Sequence, residues 1–287
     1  MVWIHITGNV EKEKVLPQMN FSQFATFDFQ ISEIVSRTGR SLPQTLSCLR
    51  EAGYTHISAN VVNASADWIK TVREAGFGLF QLYAAADYRD PAGRKGQTDR
   101  IASAAEALLP ESLMLIPAEY PDLPFEVIAE NMNELGRRLS AAGVQMEMED
   151  FDCGNPPKSY ASSSGLMRYM NAVPSLRCCF DTGNFIRSGE NYRSAYAKLK
   201  HLVTHVHLKD RLNTDLYGPE QIRSASGMPF MPAPVGSGNL KLDGFLNELW
   251  TDGFRGILAL EYGGCRDPLA AARASVDFMR SMQDRSS

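Results

Sequence analysis

Four strand-like segments of this chain carry a potential metal ligand at their C-terminal end. Glu149 lies in "GVQMEMED", Asp181 in "RCCFDTGN", His207 in "VTHVHLKD" and Glu261 in "GILALEYGG". Charged and imidazole side chains are poor core residues, but three hard oxygen donors and one imidazole suit Mn²⁺, Mg²⁺ or Co²⁺, with Zn²⁺ as an alternative. The four residue types therefore predict one divalent-cation site, provided that the fold brings the strand ends together.

Burial makes this interpretation specific. Three carboxylates gathered without a cation would repel one another, and their pKa values would rise until some took up protons. A divalent ion binds all of them in the charged form. Ordinary buried ion pairs are the alternative for any single residue, but all four residues occupy the same phase of their strands.

That phase follows from the alternation of side chains along a β-strand. In each segment the bulky apolar residues occupy one face and are expected to pack against helices. The opposite face is expected to point toward a common axis and holds Glu147, Glu149, Cys179, Asp181, His205, His207, Ala259 and Glu261.

Two of these residues form a second predicted pair. Glu147 and His205 each lie two residues before a proposed ligand, on the fifth and seventh strands. Alternate strands of a TIM barrel share a layer of side chains, so the two are expected to approach each other behind the ligands. The alternative, that each binds water or backbone separately, remains open.

The elements that must position these residues alternate along the whole chain. Strands are predicted at Phe24–Phe29, His56–Val61, Gly78–Tyr83, Leu113–Ala118, Val144–Glu149, Arg177–Asp181, Val203–Leu208 and Gly256–Glu261. Helices are predicted at Leu42–Ala52, Asp67–Ala75, Asp99–Leu108, Phe125–Ala142, Gly165–Ala172, Ser194–Leu199, Leu242–Thr251 and Pro268–Met282. Three of the helices are followed by a glycine that suits a left-handed cap: Gly53, Gly76 and Gly143.

Eight strands alternating with helices predict a parallel sheet, either a closed (β/α)₈ TIM barrel or an open doubly wound sheet. The barrel is favoured because its strand ends ring one mouth, whereas four successive ends of an open sheet would lie in a row. We expect one barrel domain over residues 1–287, with the metal site at the C-terminal mouth. The stretch Asn213–Leu240 is predicted to be irregular, as a lid over the mouth or as a passive surface loop.

Composition excludes several classes of partner. The formal net charge of -4 lacks the basic footprint of a nucleic-acid-binding protein. No apolar run is long enough to span a bilayer, and the N-terminal segment lacks the pattern of a signal peptide. The five cysteines are odd in number and lack C-x-x-C spacing, so we expect reduced thiols in a cytoplasmic protein.

The same segments resemble those of the xylose isomerase-like superfamily, which contains sugar and sugar-phosphate isomerases and epimerases. "HVHLKD" is similar to its seventh-strand motif, "FDTGN" to its sixth, "MEMED" to its fifth and "LALEYGG" to its eighth. "PVGSGNLKLDGFLNEL" resembles the G-x-G loop and helix before the last strand. The resemblance covers the C-terminal half, whereas the N-terminal half follows the rhythm without a matching motif.

The resemblance implies a (β/α)₈ barrel in which Glu149, Asp181, His207 and Glu261 bind one metal ion, with Mn²⁺ expected. It also implies that the ion holds a carbonyl and the neighbouring hydroxyl of a small carbohydrate. Glu149 and Glu261 would then move a carbon-bound proton through an enediolate. Homo-oligomers are expected by analogy with the fold alone.

Two positions depart from the family's pattern. Asn184 stands where a His commonly follows the sixth-strand Asp, and Asn155 stands where some ketose epimerases have a second Glu. Asn can hydrogen-bond a sugar oxygen but carries no charge. Lys209 and Arg211 are candidates for substrate oxygens or a phosphate, with solvated charges at the mouth as the alternative. Asp210 is expected to orient the strand end or a neighbouring Lys behind the ligands.

Three other functions compete with the isomerase or epimerase. A lyase of the dehydratase or deglycosidase type would use the same metal to remove the same kind of proton. A three-zinc endonuclease of this superfamily would need early-strand histidines and a D-x-H segment, yet the early strands offer only His56. A non-catalytic sugar-binding protein would be favoured by loss of a ligand, and all four are present.

Overall fold

The computed structural model describes residues 19–151 and 157–285. Its strands are β1 (Phe24–Phe27), β2 (His56–Asn60), β3 (Gly78–Ala86), β4 (Ser112–Pro117), β5 (Gln145–Met148), β6 (Leu176–Asp181), β7 (Val203–Leu212), β8 (Ile222–Arg223), β9 (Pro229–Ala233) and β10 (Leu258–Glu261). Its helices are α1 (Asp28–Thr38), α2 (Leu42–Ala52), α3 (Ala66–Glu74), α4 (Arg94–Leu108), α5 (Phe125–Ala141), α6 (Ser163–Ala172), α7 (Tyr192–Leu199), α8 (Leu242–Thr251) and α9 (Pro268–Arg285).

Eight parallel strands form a closed barrel. They follow the order β10-β1-β2-β3-β4-β5-β6-β7, and β10 also pairs with β7, which closes the sheet. The predicted (β/α)₈ barrel is confirmed. No helix in the described ranges has the length and apolarity needed to cross a bilayer.

Local sequence signals set the helix limits. Helix α2 begins after Ser41, whose hydroxyl accepts the N–H of Gln44 while the Gln44 side chain accepts the N–H of Ser41. The glycines predicted after α2, α3 and α5 all have positive φ, at 119° for Gly53, 81° for Gly76 and 74° for Gly143. The chain therefore turns sharply into β2, β3 and β5, as predicted.

The structure differs from the prediction in the first repeat. The first strand ends at Phe27 rather than Phe29, and the unpredicted helix α1 begins at Asp28. An acidic residue in the first turn suits the helix dipole, and Ile31 and Ile34 form a buried stripe at helical spacing. The alternation of apolar and polar residues continues through Phe29, which hid the change from strand spacing to helix spacing. In the structure, two helices connect β1 to β2.

The segment predicted to be irregular contains a short hairpin. Strand β7 extends to Leu212, past its predicted end at Leu208, and β9 pairs with this extension in the antiparallel sense. Strand β8 pairs with β9 in turn. The prediction of an irregular stretch was therefore wrong for this part of the segment, which continues the barrel wall beyond the mouth.

Asp210, in the extended part of β7, holds the loop that follows the hairpin. Its Oδ2 accepts the N–H groups of Gly236 and Gly238 at 3.1 and 2.9 Å, and its Oδ1 accepts those of Leu240 and Arg211 at 3.2 and 2.9 Å. A Cβ on Gly238 would lie 2.1 Å from Asp210 Oδ1, so the loop must carry glycine there. Asp210 thus orients a chain segment, as predicted in part, but the segment is the "GSGNL" loop.

Replacing Asp210 with Ala is expected to lower the free energy of unfolding by about 3 kcal/mol, because four backbone donors lose a buried charged acceptor. Urea unfolding followed by circular dichroism would measure the change. Asp215→Ala is the matched control, since the Asp215 side chain is 78% exposed and should tolerate the change. A loss below about 1 kcal/mol in Asp210→Ala would contradict the proposed role.

Two apolar clusters surround the barrel wall. The larger one lies between strands and helices and includes Leu46, Leu82, Leu113 and Phe180. The smaller one consists of Ala25, Phe27, Phe80, Ile257 and Ala259. Within the smaller cluster, Phe80 packs edge-on against His205 and Phe27 packs edge-on against His207. The ring centroids are 4.4 and 5.0 Å apart, respectively. These aromatic rings pack directly against the two imidazoles.

Four of the five cysteines lie in the part of the chain that the structure describes, and the expectation of reduced thiols stays a prediction. Cys48, Cys178, Cys179 and Cys265 are free. Cys153 lies outside the described residues, as does Asn155.

Candidate functional site

Strand register brings the predicted ligands close together at the barrel mouth. Strands β5, β6, β7 and β10 are consecutive neighbours around the wall. Asp181 pairs with His207 across β6 and β7, and Lys209 pairs with Glu261 across β7 and β10. Because the strands are parallel, their carboxyl ends meet at the mouth where active sites of this architecture lie.

The four predicted ligands do not form one group: three of them lie together, and Glu149 lies in a second group that includes Cys179 and shares His207. One ligand atom each from Asp181, His207 and Glu261 lie within 4.8 Å of one another, and so do ligand atoms of Glu149, Cys179 and His207. Glu149 Oε2 lies 3.0 Å from His207 Nδ1. His207 therefore groups with Asp181 and Glu261 on one side and with Glu149 on the other, whereas Glu149 does not share a group with those two carboxylates.

A turn orients the carboxylate of Asp181. Its Oδ1 accepts the N–H groups of Gly183 and Asn184 at 2.7 and 3.0 Å, and its own N–H donates to Asp150 Oδ1 at 3.1 Å. Its Oδ2 accepts no hydrogen bond of good geometry and lies 3.3 Å from Lys209 Nζ. One oxygen thus fixes the side chain, and the other is directed into the site.

His207 is held between a carboxylate and an amide. Its Nδ1 faces Glu149, and its Nε2 lies 3.2 Å from Gln81 Oε1 and 3.1 Å from Cys179 Sγ. Gln81 Nε2 donates to Glu147 Oε2 at 3.0 Å, so its Oε1 is the acceptor presented to His207. Gln81 Oε1 therefore favours a proton on Nε2, so that Nδ1, which faces Glu149, is the ring nitrogen that a metal ion would use.

Glu147 and His205 approach each other as expected. His205 Nδ1 lies 2.5 Å from Glu147 Oε1, and Thr204 Oγ1 donates to the same oxygen at 2.5 Å. Burial alone would raise the pKa of Glu147. The charge of His205 and the hydrogen bonds that the Glu147 carboxylate accepts outweigh burial and lower this pKa overall. Gln81 joins this pair to His207 and places it behind the ligands. That the pair tunes the ligands stays a prediction.

Lys209 lies between two of the proposed ligands. Its Nζ is 2.8 Å from Glu261 Oε1 and 3.3 Å from Asp181 Oδ2, and it donates to Asn184 Oδ1 at 2.8 Å. Asn184 is fully buried and contacts Lys209; that it binds substrate stays a prediction. Arg211 lines a neighbouring cavity of about 260 Å³, which Lys209 and Glu261 also reach, and its Nη1 donates to Gln221 Oε1 at 2.5 Å.

Three carboxylates of the site have raised pKa values. Burial raises the pKa of Asp181, with Lys209 opposing that rise and Glu149 adding to it. Burial also raises the pKa of Glu261, against Lys209 and together with Asp181. The pKa of Asp150 is raised by burial and by the charges of Asp181 and Glu149.

The donor set fits a hard divalent ion. Buried oxygens without a hydrogen bond remain at Asp181 Oδ2 and Asp150 Oδ2, next to an imidazole and a further carboxylate. Burial lowers the pKa of His207, but the hydrogen bond and charge of Glu149, with Asp181 and Glu261, raise it overall. A bound divalent cation would relieve the repulsion between the carboxylates and displace the imidazole proton.

A cavity of about 700 Å³ opens above these residues. Glu149, His207, Lys209 and Glu261 line it at the proposed metal site. The remaining wall is largely apolar and includes Phe27, Phe29, Tyr83, Ala85, Ala86, Met114, Ile116, Pro117, Phe151 and Tyr160. Asn60, Asp87, Gln97 and Lys158 complete the lining. The volume suits a small molecule with a few polar anchors.

Three further residues of the site were not identified from the sequence. Gln81 had a signal in retrospect, as a polar residue inside the apolar strand "GLFQLYAAA". Asp150 directly follows a predicted ligand, but no pattern showed that it would accept the Asp181 N–H. Tyr83 lines the cavity and donates its hydroxyl to Asp28 Oδ1 at 2.5 Å. Burial, then Asp28, raise the pKa of Tyr83, which therefore stays protonated as a donor.

Comparisons with known proteins agree with the architecture. No curated protein sequence matches the chain. A xylose isomerase-like TIM barrel protein from Mycobacterium smegmatis, solved in complex with magnesium, is 15% identical, with 92% of this chain and 97% of that one covered and a TM-score of 0.67. The 3-keto-D-glucoside 4-epimerase from E. coli is 15% identical, with 91% of this chain and 100% of that one covered and a TM-score of 0.63. A probable 3-DHS dehydratase from Bacillus anthracis is 12% identical, with 90% of this chain and 98% of that one covered and a TM-score of 0.66.

At such identities these structures show a shared fold and no more. The family assignment rests on a sequence model, the xylose isomerase-like TIM barrel, which matches residues 49–282 and so includes all four predicted ligands. The closed parallel barrel agrees with this match. The chain therefore belongs to the xylose isomerase-like TIM barrel family.

Proposed function

We propose that the protein is a divalent-metal-dependent isomerase or epimerase of a small carbohydrate, which acts by carboxylate-mediated proton transfer. The observation that supports this proposal is the Asp181–His207–Glu261 triad, whose donor atoms lie within 4.8 Å of one another at the barrel mouth. Mn²⁺ is the expected ion because the donors are two hard oxygens and an imidazole. When bound, the ion would polarise a carbonyl and its neighbouring hydroxyl, and so acidify the C–H bond between them.

The two glutamates would carry the proton. Glu149 follows β5 and Glu261 ends β10, and both line the cavity from different strands. A proton taken by one and returned by the other to the opposite face inverts a carbon, which is epimerisation. A proton returned to the adjacent carbon interconverts an aldose and a ketose. The buried surroundings that raise the pKa of Glu261 suit a group that must hold a proton during turnover.

The cavity wall restricts the substrate. Hydroxyl groups placed against Phe27, Met114, Ile116 and Phe151 would lose water without gaining hydrogen-bond partners, at a cost of about 1–3 kcal/mol each. The lining therefore favours a substrate whose oxygen-bearing end faces Glu149, His207 and Glu261 and whose other end is less polar. A sugar carrying an apolar substituent fits this description better than a free polyol.

A lyase is the second candidate. Removal of the same C–H proton followed by loss of a neighbouring hydroxyl would give a dehydratase, and one structural neighbour is named a probable dehydratase. The apolar wall supports this alternative too, because elimination yields a less hydrated product. The two reactions share every residue described above up to proton removal.

Proton nuclear magnetic resonance in D₂O would test the proposal and separate the two candidates. Metal-free protein, prepared with a chelator, would be incubated with Mn²⁺ and a panel of ketoses and α-hydroxyketones with and without an aryl substituent. We expect deuterium to enter the carbon next to the carbonyl only when Mn²⁺ is added, with an epimer or isomer as product and faster exchange for aryl compounds. An unsaturated, dehydrated product would support the lyase, whereas no exchange with Mn²⁺, Mg²⁺ or Co²⁺ would refute the proposal.

A further inference from the structure

The ammonium of Lys209 contacts two of the proposed metal ligands. It lies 2.8 Å from Glu261 Oε1 and 3.3 Å from Asp181 Oδ2, and both residues belong to the Asp181–His207–Glu261 triad. The residue is only 9% exposed, so these contacts are shielded from water and salt. A lysine two residues after His207 on the same strand also faces the same side of the wall, as alternation requires.

The backbone around Lys209 holds it firmly. Thr182 Oγ1 accepts the Lys209 N–H at 2.9 Å and donates to the Lys209 carbonyl oxygen at 2.9 Å. A Cβ on Gly183 would lie 2.8 Å from Lys209 Cγ and 2.9 Å from its carbonyl oxygen, so the lysine stem passes where a larger residue would collide. Asn184 then accepts from the ammonium with a neutral oxygen that the proposed metal set does not use. Three successive residues after β6 thus fix the position of one ammonium group.

We propose that Lys209 is a tethered cation that limits the affinity of the site for its metal ion. The inference rests on the metal site of the proposed function and goes beyond it, because it assigns to Lys209 a role toward the ion. A divalent ion that binds Asp181 and Glu261 must either displace the ammonium from their oxygens or bind next to a like charge. Lys209 therefore holds the two carboxylates in place when no ion is bound and keeps a bound ion exchangeable.

Metal affinity measured by titration calorimetry tests this role without any substrate. Lys209→Met removes the charge and keeps an unbranched stem, and we expect it to bind Mn²⁺ at least about tenfold more tightly than the wild type at fixed pH and ionic strength. Lys158→Met is the matched control. Lys158 lines the same cavity, but its ammonium lies 3.3 Å from the carbonyl oxygen of Glu119 and near the Tyr120 ring. Its loss should change Mn²⁺ affinity less than about threefold.

Thermal melting gives a second readout. Without added metal, Lys209→Met should melt at a lower temperature than the wild type, because Asp181 and Glu261 lose their shared counter-ion. With saturating Mn²⁺ the variant should gain more in melting temperature than the wild type does. If Lys209→Met does not fold, Lys209→Gln offers a neutral polar side chain of similar length for the same titration.

Each outcome decides a different point. Unchanged or weaker Mn²⁺ binding in Lys209→Met, with measurable binding in the wild type, would overturn the tethered-cation role and leave the metal site intact. No Mn²⁺, Mg²⁺ or Co²⁺ binding to the wild type or to Lys209→Met would overturn the metal site, and both proposals would fall with it. Tighter binding in Lys158→Met of the same size would show a general effect of cavity charge and would also overturn the specific role.

Discussion

Replacing Glu261 with Gln is expected to lower turnover by about 10²–10⁴-fold, the usual contribution of a positioned proton-transfer group. The amide matches the carboxylate in size, and its oxygen can still accept from Lys209 Nζ, which lies 2.8 Å from Glu261 Oε1. The variant should therefore fold normally but lack a group that can take up the substrate proton. Steady-state rates with the substrate found in the D₂O panel, compared at saturating Mn²⁺, would measure the loss.

A matched control separates chemistry from surface charge. Glu248 lies on α8, on the outside of the barrel, where it pairs with Arg193. Glu248→Gln makes the same chemical change and should retain wild-type turnover and melting temperature within error. Near-normal turnover in Glu261→Gln would be incompatible with the proton-transfer role, whatever the fate of the metal site.

Removing the imidazole of His207 is expected to weaken Mn²⁺ binding by more than about 100-fold. Loss of a residue that merely orients a ligand already costs roughly 10–100-fold in metal affinity, and His207 is proposed as a ligand itself. It is also the one residue shared by both triads, so His207→Ala leaves Asp181 and Glu261 in one group and Glu149 and Cys179 in the other. Titration calorimetry with Mn²⁺ on the metal-free protein would measure the effect.

His201→Ala serves as the comparison for His207→Ala. His201 is exposed, just ahead of β7, and its loss should leave Mn²⁺ affinity unchanged. Circular dichroism must show that His207→Ala is folded, because the Phe27 ring packs against the His207 imidazole at 5.0 Å. Affinity within about threefold of the wild type in a folded His207→Ala variant would exclude the imidazole from the ligand set.

The proposed metal ligands and Lys209 would share the charge of one site. Asp181 and Glu261 contact Lys209 and are the proposed ligands of the ion, while Glu149 faces His207. Burial raises the pKa values of Asp181 and Glu261, so the triad needs positive charge in order to stay ionised. A site that carries part of that charge on its own chain can exchange its ion without losing the arrangement of its carboxylates.

The strand–helix repeat and the candidate metal ligands could be predicted from the amino-acid sequence alone. Alternation of apolar strands with amphipathic helices is a local property, so the barrel and most of its elements could be predicted from it. The faces of Glu149, Asp181, His207 and Glu261 are also local, since period two assigns a face to each residue, although β7 continues five residues past His207. The approach of Glu147 and His205 followed from the same rule applied to alternate strands, and the structure places them together.

The contacts that depend on strand register and on residues distant in the sequence are seen only in the folded structure. The pairing of Lys209 with Glu261 and of Asp181 with His207 is set by how β6, β7 and β10 align, which side-chain alternation alone does not specify. Gln81 reaches His207 from a strand 126 residues earlier, and Asp210 was predicted near the ligands but binds a loop instead. Long-range contacts such as these depend on how far one strand is shifted against its neighbour. A local sequence pattern does not contain that shift, so it cannot predict them.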